Sequence, residues 1–138
     1  MDKIKALIKR PGENLQFING VKNELSWVKK DGQINDIGHC TIGDYCFLFD
    51  DFGHLHHRKN GLKYNCNICN KDNMIFGNLY VTKYNIHGED EDITEKDLEK
   101  IQKHVFEMNE DEAERHHKFL DSIWGFIDVE EEENYGWQ

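Results

Sequence analysis

The chain opens with apolar and polar residues in alternation. Ile4, Ala6 and Ile8 alternate with lysines, and a period of two places every second side chain on one face of a strand. A turn that contains the only proline follows, before a short apolar run at 15–18. This pattern predicts a half-buried strand over 2–9 and a second strand at 15–18.

The middle of the chain has the pattern of antiparallel strands joined by short turns. The run Tyr45–Phe49 is almost wholly apolar, which is typical of a strand covered on both faces. A longer run at 74–84 is predicted as one strand, with Gly77 as a bulge. The predicted strands of the sheet are 2–9, 36–42, 45–49, 54–58 and 74–84.

Helical spacing of apolar residues occurs near both ends of the chain. A short helix is predicted over 20–30. Thr94 is placed to cap a first C-terminal helix and Asn109 a second, and two helices joined this tightly form an antiparallel hairpin over 89–129. The predicted apolar stripe of the first of these helices is Leu98, Ile101, Val105 and Met108. The fold class is therefore α+β: an antiparallel β-sheet with a short N-terminal helix and a C-terminal helical hairpin.

The length of 138 residues suits one core with a helical addition. We expect a β-rich domain over 1–88, the acidic hairpin over 89–129 packed on it, and a mobile acidic tail over 130–138. The start does not resemble a signal peptide, and no apolar run approaches the roughly 20 residues of a membrane helix. The expected location is the cytoplasm, where cysteines are thiols or metal ligands.

Charge is divided unevenly along the chain. Residues 1–88 contain 12 Lys/Arg and 9 Asp/Glu, whereas residues 89–138 contain 5 Lys/Arg and 18 Asp/Glu, which gives balances of +3 and −13. Such a field repels nucleic acid and attracts basic protein surfaces. Direct nucleic-acid binding is therefore disfavoured, and simple solubility is the alternative explanation of the charge.

The acidic residues form three clusters around the predicted hairpin. The first covers 89–99, the second 107–114 and the third 130–133. Carboxylates at a helix N-terminus are favoured by the helix dipole, but three clusters exceed what capping requires. Spaced carboxylates on a rigid scaffold can imitate the phosphates of a duplex, so we predict that this surface binds a Lys/Arg-lined groove.

The sharpest local motif is a pair of cysteines separated by two residues, Cys66 and Cys69. Thiolates at this spacing can both bind one Zn²⁺ at about 2.3 Å. Cys40 and Cys46 flank a turn, and a three-residue loop would place them directly opposite each other. The sequence therefore predicts a structural zinc site made of these four cysteines, which would order the loop 60–73.

Two other interpretations of these residues stay open. His54, His56 and His57 are alternative zinc ligands. A Cys₂His₂ or Cys₃His site is therefore equally compatible with the sequence. Alternatively, Cys40 and Cys46 are small buried hydrophobic residues. A redox role for the Cys-x-x-Cys motif is less favoured, because no thioredoxin-like βαβ pattern surrounds it.

Several segments together carry a family resemblance. They are the strand 45–49, Gly53-His54-Leu55, Asn60-Gly61-Leu62, the strand 75–81 and Asp92-Ile93-Thr94. With these segments the chain resembles a small domain family of unknown function that is borne by phages and plasmids. The Cys66–Cys69 segment and the acidic C-terminal helix depart from that pattern. The resemblance implies a mobile element, where short acidic proteins often inhibit host defence; anti-CRISPR proteins that act on Cas9, a few of which bind zinc, are one such group.

The sequence predicts a non-catalytic inhibitor from a phage or other mobile element. Its acidic helical end would bind a host defence nuclease of the Cas9 type and block nucleic-acid loading. No phosphate-binding glycine loop, serine elbow or His-Glu-x-x-His pair is present. One alternative is a sponge for a nucleotide second messenger, and a zinc-dependent enzyme is another. The sponge would use Tyr64, Tyr80, Tyr84 and Lys63.

Overall fold

The computed structural model describes residues 2–69 and 73–136, with side chains described up to residue 123. The chain divides into two compact units, Met1–Glu107 (unit 1) and Met108–Gln138 (unit 2). The described residues form a mixed α+β fold with antiparallel sheets and four helices, which confirms the predicted class. The hairpin packing predicted over 89–129 stays a prediction.

Unit 1 contains nine strands and three helices among its described residues. In chain order these are β1 (Lys3–Lys9), β2 (Gln16–Val21), α1 (Ser26–Gly32), β3 (Ile37–Ile42), β4 (Tyr45–Asp50), α2 (Gly53–Asn60), β5 (Tyr64–Ile68), β6 (Met74–Phe76), β7 (Leu79–Tyr84), β8 (Asp90–Glu91), α3 (Glu95–Gln102) and β9 (Val105–Phe106). Unit 2 contains one helix, α4 (Glu110–Gly136).

The main sheet of unit 1 has the strand order β2-β1-β7-β4-β3, and β8 pairs with the end of β7. All its neighbouring strands are antiparallel. A smaller sheet has the order β6-β5-β9 and is also antiparallel. The interior position of β4 and β7 in the sheet accounts for the apolar run 45–49 of β4 and the apolar start of β7 at 79–81.

Adjacent residues on the central strands supply two separate hydrophobic cores. Leu7, Phe47 and Val81 belong to a first core that also includes residues of the small sheet and of α3. Their neighbours Ile8, Leu48 and Tyr80 belong to a second core, which includes Val28 of α1. Because successive side chains of a strand point to opposite faces, the two cores lie on opposite faces of the main sheet.

The segment 54–58 was predicted as a strand and forms part of α2 instead. The helix ends at Gly61, whose φ is +70° and whose N–H bonds to the carbonyl of His57 at 3.1 Å. The N–H of Leu62 reaches back to the carbonyl of His56 at 3.3 Å, which completes a helix stop of the left-handed type. The prediction was wrong because Asn60-Gly61 was not recognised as a helix stop.

The segment 74–84 was predicted as one strand and is two. Gly77 has a φ of +77°, a conformation that glycine adopts without steric penalty. The change of direction sends β6 into the small sheet and β7 into the main sheet. Gly77 is therefore the point where the chain passes between the sheets rather than a bulge within one strand.

Three boundaries also differ from the prediction. The first helix covers Ser26–Gly32, because the start of the predicted segment 20–30 belongs to β2. The α3 helix ends at Gln102, so Val105 of the predicted apolar stripe lies in β9. The loop predicted over 60–73 contains β5, in which four of five residues are buried, so packing contributes to the order of this strand.

Candidate functional site

The structure brings together two of the four cysteines that were predicted to bind zinc. The Sγ atoms of Cys40, on β3, and Cys69, just after β5, are 3.3 Å apart, and both thiols are partly buried. Cys66 lies in the first core and is fully buried. Burial raises the pKa of its thiol to about 12, so this residue stays a protonated, apolar side chain at neutral pH.

Cys46 lies on the other face of the main sheet and packs against the second core. The predicted register is wrong here: β3 and β4 are joined by a two-residue turn, which pairs Ile42 with Tyr45, Thr41 with Cys46 and Cys40 with Phe47. The two cysteines therefore point to opposite faces. Burial raises the pKa of Cys46 as well.

Structural zinc takes four ligands in a tetrahedral arrangement, and the described positions of the four cysteines do not converge on one point. Within residues 2–69 and 73–123, no group of three or more His, Cys, Asp or Glu side chains is placed to hold a metal ion together. The Cys40–Cys69 pair offers two sulfur atoms, and Cys46 faces away from them. Zinc binding stays a prediction, which metal analysis of the purified protein tests.

The three histidines that competed as metal ligands are all on α2, and each faces a neighbour within unit 1. The rings of His54 and His57 lie against Phe76, at centroid distances of 5.7 and 4.5 Å. Nδ1 of His57 is 2.6 Å from the carbonyl oxygen of Leu62. His54 and His57 therefore both pack against β6, and His57 also contacts the residue that follows the end of α2.

His56 belongs to a pair that the sequence analysis did not find. Its Nδ1 is 2.5 Å from Oδ2 of Asp50, and the other carboxylate oxygen of Asp50 accepts a bond from the N–H of Phe52 at 3.0 Å. With Nδ1 donating, Nε2 is the acceptor nitrogen. Chemically, such a pair can accept a proton or a hydrogen bond from a small molecule.

This pair borders a cavity of about 280 Å³. The polar part of the lining consists of Gln33, Asp50, His56, Asn60 and Asn78. The cavity is slightly below the usual size range of small-molecule sites. Among the described residues, no Lys or Arg lines the cavity.

The aromatic residues of the proposed nucleotide sponge make hydrogen bonds inside the fold. The hydroxyl of Tyr80 donates to Asp31 at 2.5 Å, and that of Tyr84 donates to the carbonyl of Gly43 at 3.1 Å. The hydroxyl of Tyr64 donates to Asn67. Tyr80 is fully buried in the second core, whereas Tyr64 is on the small sheet. The described structure therefore does not gather these rings in one pocket.

Carboxylates of the first acidic cluster divide into internal and exposed groups. Asp97 is buried, and its carboxylate accepts bonds from the hydroxyl of Tyr45 at 2.6 Å and from the N–H of Thr94 at 2.8 Å. Lys83 is 3.3 Å away. Burial alone would raise the pKa of Asp97, but the bonds from Tyr45, Thr94 and Lys83 outweigh it and lower the pKa to about 2.

Two other acidic residues of this cluster also hold backbone groups. Asp92 accepts a bond from the N–H of Lys5 at 2.8 Å, and Asp90 accepts one from the N–H of Asn23 at 2.7 Å. In the second cluster, Glu107 is 2.5 Å from the buried ammonium of Lys9. These carboxylates bond to groups of unit 1, although Asp92 and Glu107 are also exposed to solvent and Asp90 is partly exposed.

The α4 helix presents a different kind of surface. Asn109 accepts a bond from the N–H of Glu112 at 2.8 Å, which confirms it as the helix cap. Glu110, Asp111 and Glu112 are all exposed in the first turn. The third cluster, 130–133, lies within α4, but its side chains are outside the described residues, as is the end of the predicted tail 130–138.

Comparisons with family models, with curated proteins and with solved structures find no match for this chain. Among the residues that the structure describes, no helix has both the length and the apolar character needed to cross a membrane.

Proposed function

We propose that the protein is a non-catalytic inhibitor whose acidic helix α4 docks on the nucleic-acid-binding surface of a partner protein. The observation that carries this proposal is the distribution of charge between the two units. Unit 2 has ten Asp/Glu against two Lys/Arg, a balance of −8, whereas the much longer unit 1 has a balance of only −2. The charge is therefore concentrated on one helix.

Helix stability does not account for the acidic residues along the whole of α4. Those of the first turn are favoured by the positive end of the helix dipole. The run 130–133 lies near the opposite end of α4, where carboxylates are disfavoured, and no basic residue occupies the last turn. An arrangement that opposes the dipole is more readily explained by attraction to a positively charged partner.

Exposed apolar side chains support a docking role for the same helix. Phe119 and Ile123 are 57% and 51% exposed, and they are four residues apart on one face of α4. Glu112, seven residues before Phe119, lies close to the same line along the helix. A face that combines carboxylates with large apolar groups suits a Lys/Arg-lined groove that also has apolar contacts.

The resemblance to a family borne by mobile elements supports the choice of partner. In the cytoplasm of a bacterium, a host defence nuclease of the Cas9 type offers a wide basic groove for nucleic acid. The carboxylates of α4 would imitate the phosphates of a duplex and block nucleic-acid loading. In this proposal the protein has no catalytic role, and a bound zinc ion would act only as a structural brace.

The proposal is tested with the full-length chain and a Cas9-type nuclease that has not been loaded with guide RNA. We expect wild-type protein to co-purify with the nuclease and to inhibit cleavage. The variant Glu110→Gln/Asp111→Asn/Glu112→Gln should bind at least about tenfold more weakly, because charge complementarity is lost. The matched control is Asp2→Asn/Asp36→Asn/Asp44→Asn, which removes three exposed carboxylates from unit 1. Cleavage that is unchanged by excess wild-type protein would contradict the choice of target.

The two alternatives have their own tests. Calorimetry against cyclic nucleotides tests the sponge, because a sponge binds its ligand without a protein partner. The cavity beside His56 is one place for such a ligand, and no Lys or Arg occurs in the described part of its lining. A metal-stripped sample that keeps its full biological effect would argue against the zinc-dependent enzyme.

A further inference from the structure

Two cysteines that are far apart in sequence meet where the two sheets of unit 1 approach each other. Cys40 is on β3 at the edge of the main sheet, and Cys69 directly follows β5 of the small sheet. Their Sγ atoms are 3.3 Å apart, and a disulfide bond is about 2.05 Å long. A shift of roughly 1.3 Å between the sulfur atoms would therefore form a covalent bond between the sheets.

The backbone of Cys69 is in a conformation that cysteine rarely adopts. Its φ is +66°, in the left-handed region that favours glycine or asparagine. The N–H of Cys69 donates to the carbonyl of His104 at 3.1 Å, which holds the residue in place. The strained backbone and this hydrogen bond fix the position of the Cys69 side chain beside Cys40.

The other two cysteines are not competitors for this pairing. Cys66 is fully buried in the first core, where a reagent in solution does not reach it. Cys46 packs on the opposite face of the main sheet. Cys40 and Cys69 are both partly exposed, so the geometry leaves one pair of thiols that is close together and accessible to a small oxidant.

We propose that Cys40 and Cys69 form a reversible dithiol–disulfide site whose co-reactant is a low-molecular-weight disulfide such as oxidised glutathione. One thiol loses its proton and attacks a sulfur of the glutathione disulfide; that S–S bond breaks and one glutathione leaves as its thiol. The second cysteine then attacks the mixed disulfide, which forms the Cys40–Cys69 bond and releases the second glutathione thiol. Two protein thiols are oxidised and one small disulfide is reduced.

The bond would close the chain between residues 40 and 69, a segment that contains β4, α2 and β5. A cross-link around a loop of this length restricts the unfolded chain and raises the stability of the oxidised form. The site is independent of α4 and of the proposed partner. Because Cys40 and Cys69 are also among the predicted zinc ligands, a chelator is added so that zinc does not compete for the two thiols during oxidation.

The test uses full-length reduced protein incubated with glutathione buffers of increasing oxidised fraction in the presence of a chelator. Non-reducing peptide mapping by mass spectrometry should show the Cys40 peptide linked to the Cys69 peptide, with a loss of about 2 Da. The melting temperature should rise by roughly 5–10 °C on oxidation. Cys46→Ser is the matched control and should form the same link with the same rise.

Cys40→Ser and Cys69→Ser should each lose the link and gain one bound glutathione at the remaining thiol. The trapped glutathione shows that the thiol is accessible even where a variant is less stable. The proposal is overturned if Cys40 and Cys69 of the wild-type protein stay reduced or each carry a glutathione in a strongly oxidising buffer. It is equally overturned if Cys66 and Cys69 are linked instead.

Discussion

Asp97 shows how one carboxylate can be structural in a chain whose acidic residues look like a surface. Its oxygen atoms accept bonds from Tyr45 and from both the N–H and the hydroxyl of Thr94. The return bond from the N–H of Asp97 to the Thr94 hydroxyl completes a capping box. The single side chain thereby fixes the start of α3 and joins it to β4 of the main sheet.

Replacement of this carboxylate by an amide should destabilise unit 1 in a pH-dependent way. The folded pKa of Asp97, about 2, lies below its ordinary value of 3.8. Its contribution is therefore complete above about pH 4 and disappears as the pH falls to 2. At pH 7 we expect Asp97→Asn to lower the free energy of unfolding by about 2 kcal/mol. Urea denaturation at pH 7 and at pH 2.5 measures both effects.

Glu95→Gln is the control for this prediction, since Glu95 is exposed in the same helical turn. It should change the free energy of unfolding at pH 7 by less than about 0.5 kcal/mol. Equal effects of the two substitutions would show that the buried bonds of Asp97 contribute nothing beyond its position near the helix N-terminus.

The capping residue Thr94 was predictable from sequence, but the long-range partners were not. A capping box depends on residues three positions apart, which the chain displays directly. The bond from Tyr45 to Asp97 joins residues 52 positions apart, and the pair of Asp50 and His56 depends on a helix that was not predicted. Such contacts exist only once the sheet and its covering helices are assembled.

At the scale of elements, Gly77 decides which sheet each half of a long apolar segment joins. Gly77→Ala should destabilise unit 1 for two reasons. An alanine at a φ of +77° costs roughly 1–2 kcal/mol, and its Cβ would lie 3.3 Å from the side chain of Leu62. Gly88 has the same φ of +77° but has nothing within 4 Å of the added Cβ.

Gly88→Ala therefore measures the backbone penalty alone. We expect Gly77→Ala to be more destabilising than Gly88→Ala by about 1 kcal/mol in urea denaturation. If the two variants are equally stable, the contact with Leu62 has no energetic weight and the crossing between sheets depends on backbone conformation only.

Strands and helices whose apolar residues follow one clear period were predictable from the sequence. Segments whose apolar pattern fits both a strand and a helix were not. The alternation of Ile4, Ala6 and Ile8 correctly predicts β1, and the apolar run at 45–49 correctly predicts β4. The segment 54–58 has only one aliphatic residue, Leu55, so its pattern fits a strand or a helix equally well. The deciding signal was the helix stop that follows it, which has no periodicity of its own.

At the scale of the whole molecule, the division into two units shows where the negative charge of the sequence is concentrated. The sequence alone places the change of charge near residue 88. Several carboxylates between 90 and 107 bond to groups of unit 1, and Asp97 among them is buried, whereas the first-turn carboxylates of α4 are all exposed. Sequence counts do not distinguish a buried, bonded carboxylate from an exposed one, so the extent of the acidic surface required the fold.

The measurement that tests the central claim most directly is the affinity of α4 variants for an unloaded Cas9-type nuclease at two salt concentrations. At low salt, wild-type protein should bind and prevent guide loading, and its affinity should fall steeply as salt screens the charges. The variant Glu110→Gln/Asp111→Asn/Glu112→Gln should bind more weakly and show a shallower dependence on salt. Equal affinity and equal salt dependence of the two proteins would contradict the claim that the acidic residues of α4 bind the nuclease.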